Sequence, residues 1–417
     1  MINRRAVLKK IPSILSLLMG VPNIVNSGIL SKKKILLRSS WQTTNIGDIG
    51  HTPGVLSLLE KYLPDVEVRL WAVSVNNGVA PMLKERFPNV PIIKSADTTA
   101  LKKAFEECDF LLHGSGPFLV AAKDVARWSK ETGKPFGVYG ITLSERRATN
   151  DVITLLNKAQ FVFFRDSFSI DVAKERGLQN PNSAFGPDGA FGVDVRNDNA
   201  AIDFLKRNEL EEGKFLCVIP RYRITPGWKI PNKNIPFDEK KNQLNESMKE
   251  HDHKVLREAI IAVVRETSFK VLICPEDMTQ MELGKEILYD PLPDDIKEKV
   301  VWRSDFWLTD EALSTYILSA GLFGNEMHSP IMCIGNGIPA IVCRFAEQTS
   351  KGLMWNDIGL EDWLFDLDDE TQLRGIVPAV LAMAKKPRAA KKKALKAKRF
   401  VQEYQHKTME VLKENLQ

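Results

Sequence analysis

From Ile35 onward, short apolar runs alternate with longer stretches whose apolar residues return every three or four positions. The short runs predict strands at 35–38, 66–72, 91–93, 109–112, 136–139 and 161–164. Helical patterns at 54–63, 99–107, 119–132 and 167–176 join most of them. Strands that are apolar throughout suit a sheet buried on both faces, and parallel neighbours need helical crossovers between them. A Gly/Pro/Asp-rich turn, Gly186-Pro187-Asp188-Gly189, closes this series. A second series follows the break at Glu211-Glu212-Gly213, with strands at 215–220, 269–274, 299–302, 321–323 and 339–342. Its helices are expected at 253–266, 279–288, 309–318 and 328–336, and a long one closes the chain at 388–415. Residues 221–245, rich in Pro, Asn, Lys and Gly, read as a long loop and a candidate lid.

This rhythm predicts an α/β protein built from two doubly wound, Rossmann-like domains that face a central cleft. The N-terminal domain is expected at 35–205, the C-terminal domain at 213–383 and a helical extension at 384–417. A chain of 417 residues is long for one domain, and 44% apolar with 27% charged residues is ordinary for a globular protein.

Charge changes the picture at the ends. Residues 1–34 hold seven basic groups and no acid, so the net +5 leaves about −2 for the remainder. Nine more basic groups lie in 385–399 without an acid, and they read as a solvated helical face. Basic charge confined to two ends argues against nucleic acid as a partner. At the start, Arg4-Arg5 precede a modest apolar run, Ile11–Val25, interrupted by Pro12, Gly20 and Pro22. The run is too short to span a bilayer. It predicts a twin-arginine export signal over 1–30, with the export machinery as a partner and a periplasmic or extracellular destination. The alternative is a basic N-terminal segment on a cytoplasmic protein. Five cysteines cannot all pair within the chain, and no CxxC spacing supports a zinc ribbon.

In doubly wound sheets ligands bind beyond the C-terminal ends of the strands. Four loops in such places carry candidate chemistry. The first runs from Ser39 to Gly54 and holds Asn45, Gly47, Asp48 and His51, with Thr52 expected to cap a helix beginning at Pro53. The second is His113-Gly114-Ser115-Gly116, a glycine turn able to wrap a phosphate or carboxylate. In the third, Arg165 either clamps an anion or pairs with an aspartate, while Asp166 or Ser167 caps the next helix. The fourth holds Glu326 and His328 at a helix start, with Arg344, Glu347 and Lys351 downstream. No metal site is predicted, and His251-Asp252-His253 reads as a chance surface cluster.

Asn45-Ile46-Gly47-Asp48, the His113–Gly116 loop, Arg165-Asp166-Ser167, Pro187-Asp188-Gly189-Ala190-Phe191, His328, Gly337-Ile338-Pro339 and Lys351 together resemble the polysaccharide pyruvyl transferase family over about 35–370. The resemblance implies a fold like that of the type B glycosyltransferases (GT-B) and transfer of a pyruvyl group from phosphoenolpyruvate to a pair of glycan hydroxyls as a ketal, with no cofactor. His328 and Asp48 would then be catalytic. Asn45, Gly47, His51, His113, Gly114, Ser115, Gly116, Arg165, Asp188, Glu326, Arg344 and Lys351 would line the substrates. The family carries an arginine two residues before the histidine, where this chain has Glu326. A carboxylate there repels an anionic donor. Two alternatives therefore stand beside pyruvyl transfer: a glycosyltransferase-like enzyme with another donor, and an exported carbohydrate-binding protein without transfer.

Overall fold

Seven strands form the first sheet: β1 (Lys34–Ser39), β2 (Glu67–Ala72), β3 (Ile92–Lys94), β4 (Phe110–His113), β5 (Phe136–Ile141), β6 (Val162–Phe164) and β7 (Ser183–Phe185). Their order is β3-β2-β1-β4-β5-β6-β7. Six more form the second: β8 (Phe215–Ile219), β9 (Lys270–Ile273), β10 (Val300–Trp302), β11 (Gly321–Gly324), β12 (Ala340–Arg344) and β13 (Leu364–Asp366). Their order is β10-β9-β8-β11-β12-β13. Every pairing is parallel. This computed structural model describes residues 32–231 and 233–417, so the export signal expected over 1–30 lies outside the described residues.

Both faces of the first sheet are buried, as the unbroken apolar runs require. Ile35 and Leu37 of β1 point into one apolar cluster and Leu36 into another. In each sheet the strand order reverses direction beside the first strand, β1 or β8, which opens a crevice at the strand C-termini. The two crevices are stitched to each other by main chain. Ile46 N donates to Glu276 O at 2.8 Å, Met278 N donates to Thr44 O at 3.2 Å, and Asn45 bridges Asp277. Thr309 Oγ1 adds a bond to Ile46 O at 2.8 Å. The closing helix, Pro387–Glu414, returns to the first sheet, where Tyr404 packs edge-on to Phe185 and His406 rests on Tyr62.

Three expectations change. The first helix begins at Ile46 and runs to Tyr62, with Pro53 inside it. Asn45, not Thr52, is the cap, because its Oδ1 accepts from both Gly47 N (2.8 Å) and Asp48 N (3.0 Å). Pro53, inside the helix, has no N–H to give Ile49 O. The candidate lid is shorter than expected, since Glu239–Glu266 is one helix capped by Asp238. Its first turns are almost wholly polar, and a solvated helix has no apolar stripe to reveal it. The triplet at 251–253 is structural rather than a surface cluster: His253 and Asp252 are buried, and Asp252 pairs with Arg223 at 2.8 Å. The short strands β7 and β13 and the helices Val79–Arg86, Asn150–Lys158 and Glu370–Lys385 escape the sequence pattern as well.

Candidate active site

Charged side chains gather at the seam between the two crevices, each from the loop or helix start that follows a strand. From the first sheet come Asp48 and His51 after β1, Ser115 after β4, Arg165 after β6 and Asp188 after β7. The second sheet supplies Arg221 after β8, Glu276 after β9, Glu326 and His328 after β11, and Lys351 after β12. Two glycines set the spacing. A Cβ at Gly47 would lie 2.2 Å from His328 Cβ, so only glycine lets the two helix starts meet. Gly324, at φ +145°, presses on Ile219, and any Cβ there would meet its carbonyl oxygen at 2.3 Å.

His51 is the hinge of the first-sheet side. Its Nδ1 lies 2.7 Å from Ser115 Oγ and 3.0 Å from Asp188 Oδ1, which leaves Nε2 buried without a partner. Asp188 also binds Arg165 and accepts from Ala190 N at 2.9 Å. Burial pushes the Asp188 carboxyl up, but His51 and Arg165 outweigh it and hold its pKa well below the usual range. Arg165 spends Nε on Thr142 Oγ1 (2.6 Å) and Nη1 on Asp188, and keeps Nη2 unpartnered. Of the two roles foreseen for Arg165, the structure shows the pair, with Asp188 rather than Asp166. Asp166 caps the next helix at Ser169 N, 2.8 Å.

On the second-sheet side, His328 opens the helix His328–Gly335. Its ring stands edge-on to His51 with centroids 4.9 Å apart. His328 Nδ1 lies 3.4 Å from Glu276 Oε1 and 3.8 Å from Asp48 Oδ1, and Nε2 is buried and unpartnered. Burial, then Lys351 and His51, hold the His328 pKa well below that of a free histidine, so the ring is neutral at pH 7. The Asp48 carboxyl is lowered as well. Burial pushes it up, but His328, His51 and the Gln42 amide (2.6 Å) bring it below the usual carboxylate value. Its side chain keeps 31% of its exposure, so this edge of the site opens to solvent.

Glu326, the departure from the expected arginine, is buried and compensated. Its Oε2 pairs with Arg221 Nη1 at 2.5 Å and its Oε1 accepts from Gln280 Nε2 at 2.6 Å. Burial still raises its pKa. Lys351 is also buried and makes no ion pair among the described residues. Burial, with help from Arg221 and Arg165, lowers its amine to about 8.

The anion seats offered by helix starts are filled from within. Glu276 Oε2 accepts from Ser329 N at 2.6 Å, and Asn45 occupies the amides of Gly47 and Asp48. Groups left open are His51 Nε2, His328 Nε2, Glu276 Oε1, Arg165 Nη2 and Arg221 Nε, together with the Lys351 amine. The histidine and aspartate ligand atoms of Asp48, His51 and His328 all lie within 4.8 Å of one another.

Of the expected site residues, Gly47, Asp48, His51, Ser115, Arg165, Asp188, Glu326, His328 and Lys351 meet here. Asn45 serves as a cap, and Gly114 and Gly116 shape the second loop against Ser39 and Trp41. His113 is buried under Trp41, stacked at 5.1 Å, and its Nε2 accepts from Ala121 N at 3.2 Å. Burial and Arg38 lower its pKa to about 3, which makes it a neutral structural group. Arg344 pairs with Asp366 and donates to Thr349 O at 3.2 Å, bracing the loop that carries Lys351. Glu276 and Arg221 were missed. Each stands just past the end of a predicted strand, so the loop rule applied to every strand would have found them.

A second groove, of about 540 Å³, is lined by Gly213, Ala320, Pro339, Arg388, Lys391 and Arg399. It lies at the N-terminal ends of the second sheet's strands, the edge opposite the charged seam.

The family model for polysaccharide pyruvyl transferase matches residues 45–345. No curated protein matches the sequence. Solved structures are similar at low identity. HepE of Anabaena, in complex with UDP and glucose, is 10% identical, with 92% of this chain and 100% of that one covered at a TM-score of 0.56. The UDP-GlcNAc 2-epimerase of Neisseria meningitidis bound to UDP-GlcNAc is 11% identical, covering 91% and 100% at 0.55. MnaA of S. aureus with UDP is 12% identical, covering 88% and 95% at 0.52. Such likeness shows a GT-B-like fold of two parallel sheets flanked by helices.

Proposed function

The chain belongs to the polysaccharide pyruvyl transferase family, and from that premise we propose a sugar-modifying enzyme that transfers a group to a glycan hydroxyl from a donor other than phosphoenolpyruvate. A nucleotide-activated sugar is the donor class best supported. The observation that carries this reading is the internal neutralisation of the site's arginines. Phosphoenolpyruvate brings a phosphate and a carboxylate. Against them stand Arg221, already paired with Glu326, Arg165, already paired with Asp188, and Lys351. Three cationic contacts stay open, Arg165 Nη2, Arg221 Nε and the Lys351 amine, and with both arginines already half neutralised they suit a diphosphate of lower charge. The similar structures solved with UDP lend the nucleotide its support.

The protonation states point the same way. A pyruvyl transfer needs an acid to protonate the donor's methylene carbon, and His328 with its lowered pKa is a weak supplier of protons at pH 7. A neutral imidazole is suited to remove a proton from an attacking hydroxyl. Glu276 Oε1, 3.4 Å from His328 Nδ1, and Asp48 Oδ1, at 3.8 Å, stabilise the imidazolium that results. Lys351, near 8 and so mostly charged at pH 7, offsets charge gathering on the leaving phosphate. Asp48, at the open edge, orients the acceptor.

Pyruvyl transfer from phosphoenolpyruvate is the second reading, favoured by the family match itself. Thermal unfolding of the full chain with millimolar UDP, UDP-GlcNAc or phosphoenolpyruvate separates the two. A ligand at a hundred times its Kd stabilises by about 2.7 kcal/mol. Protection by UDP or its sugar, with none from phosphoenolpyruvate, is expected. Protection by phosphoenolpyruvate alone would reverse the order of the readings, and no protection by either nucleotide sinks the first. Export over the twin-arginine route is proposed as well. Fractionation of cells carrying Arg4→Lys and Arg5→Lys should find the protein retained inside, and unchanged location would exclude that route.

A further inference from the structure

Two buried imidazoles and two carboxylates face one another at the seam, with more open ligand atoms than a sugar hydroxyl or a phosphate needs. His51 Nε2, His328 Nε2 and Glu276 Oε1 are all buried without a hydrogen-bond partner. Leaving such atoms unpaired is costly, and each one calls for an explanation. His51 Nε2 lies 4.0 Å from Asp48 Oδ1, and His328 Nδ1 lies 3.8 Å from that same oxygen and 3.4 Å from Glu276 Oε1. Metal–ligand bonds of about 2.0–2.2 Å let one ion join atoms up to about 4.4 Å apart. These three separations fall inside that reach, and the ligand atoms of Asp48, His51 and His328 all lie within 4.8 Å of one another.

We propose that Asp48, His51 and His328, with Glu276 beside them, bind a divalent transition-metal ion, so that His328 acts as the base described above only in the metal-free protein. The surroundings of His51 are those of a metal ligand. Its Nδ1 faces Asp188 at 3.0 Å and Ser115 at 2.7 Å, and Asp188 is locked by Arg165, which turns Nε2 toward the seam. A carboxylate behind a ligating imidazole fixes its tautomer and raises its basicity. Glu276 is anchored at Ser329 N by one oxygen and presents the other to His328. Asp48 supplies the carboxylate at the exposed edge, where an ion can enter and where a position stays open for a substrate oxygen. Imidazole nitrogens paired with carboxylate oxygens select ions such as Zn²⁺ or Mn²⁺ over Mg²⁺ or Ca²⁺. The charge of Lys351 opposes the ion, and the carboxylates of Asp48 and Glu276 offset it.

The test uses the full chain stripped with EDTA and held without any nucleotide or sugar. Calorimetric titration with ZnCl₂ and with MnCl₂ should show saturable binding, with MgCl₂ much weaker. Asp48→Asn and His51→Gln should each weaken Zn²⁺ binding about tenfold or more. His406→Gln, a substitution at an exposed histidine of the closing helix, should leave it unchanged. Circular dichroism and melting confirm that each variant is folded. Asp48, being part-exposed, keeps the test open should His51→Gln fail to fold. Absence of Zn²⁺ and Mn²⁺ binding in the wild type overturns the proposal, as does binding that folded Asp48→Asn retains in full. The titration contains no donor, so its failure leaves the nucleotide-sugar reading standing. UDP protection measured on the metal-free protein likewise tests the donor alone.

Discussion

Replacing Lys351 by Met keeps the length of a buried stem and removes its charge. The amine falls from 10.5 to about 8 because burial strips its water and Arg221 and Arg165 stand near, while Glu326 and Glu276 return only part of the loss. That fall corresponds to roughly 3 kcal/mol spent to keep the group charged in the folded protein. Below pH 8 folded and unfolded chains both hold the proton, and the cost is present in full. Between pH 8 and 10.5 the folded protein has released a proton that the unfolded chain still binds, so wild-type stability rises with pH. Lys351→Met lacks both the cost and the rise. The variant should be about 3 kcal/mol more stable than wild type at pH 7 if methionine packs as the uncharged lysine does, with the difference closing toward pH 10.5. Urea unfolding of both proteins at pH 7, 8, 9 and 10 measures it, and other titrations common to the two cancel in the difference. The variant should also lose protection by UDP, since stability gained at a site of this kind is function given up. A variant less stable than wild type at pH 7, or a difference that stays constant up to pH 10, would refute the reasoning.

Glu326→Arg sets a third cation against Arg221 and Lys351, and should cost about 3–5 kcal/mol in urea unfolding, because the partner of a buried pair is left uncompensated; a variant as stable as wild type would show the pair to be unimportant. Gly47→Ala forces a methyl into His328 Cβ at 2.2 Å. Overpacking of about 1–3 kcal/mol should lower the melting temperature and abolish ligand protection together, so an unchanged melt with ligand binding intact would contradict the geometry. His113 and His253, lowered to about 3 and about 4 by burial, are neutral in the fold but take up protons below about pH 6.5 when unfolded. Stability should therefore fall as pH drops from 6.5 toward 4, and His253→Gln should flatten part of that slope in denaturant midpoints taken at half-unit steps.

The likeness to known proteins divides by scale. Parallel strands with helical crossovers produce the same sheet architecture in chains only 10–12% identical. Side-chain charge at the seam is free to change under that architecture, as the Arg221–Glu326 pair illustrates. A family match over 45–345 thus establishes ancestry and fold more firmly than it establishes the donor.

Alternation of apolar runs with helical periods was enough to determine the α/β class and the parallel sheets, because a strand buried on both faces cannot afford polar positions. Placement of chemistry after strand ends was legible too, since Asp48, His51, Arg165, His328 and Lys351 all lie in the segments that follow strands. Helix limits in polar stretches were not legible: Glu239–Glu266 carries few apolar residues in its first turns, and Asn45 outcompetes Thr52 as a cap only through bonds that form once the chain is bent. Tertiary structure alone decided which charges are spent. Glu326 with Arg221 and Asp188 with Arg165 are partners separated by 105 and 23 positions, so no local spacing announces them. Burial then sets each proton affinity, leaving His328 neutral and Lys351 near 8, because desolvation depends on every element that closes over a group and not on its neighbours in the chain.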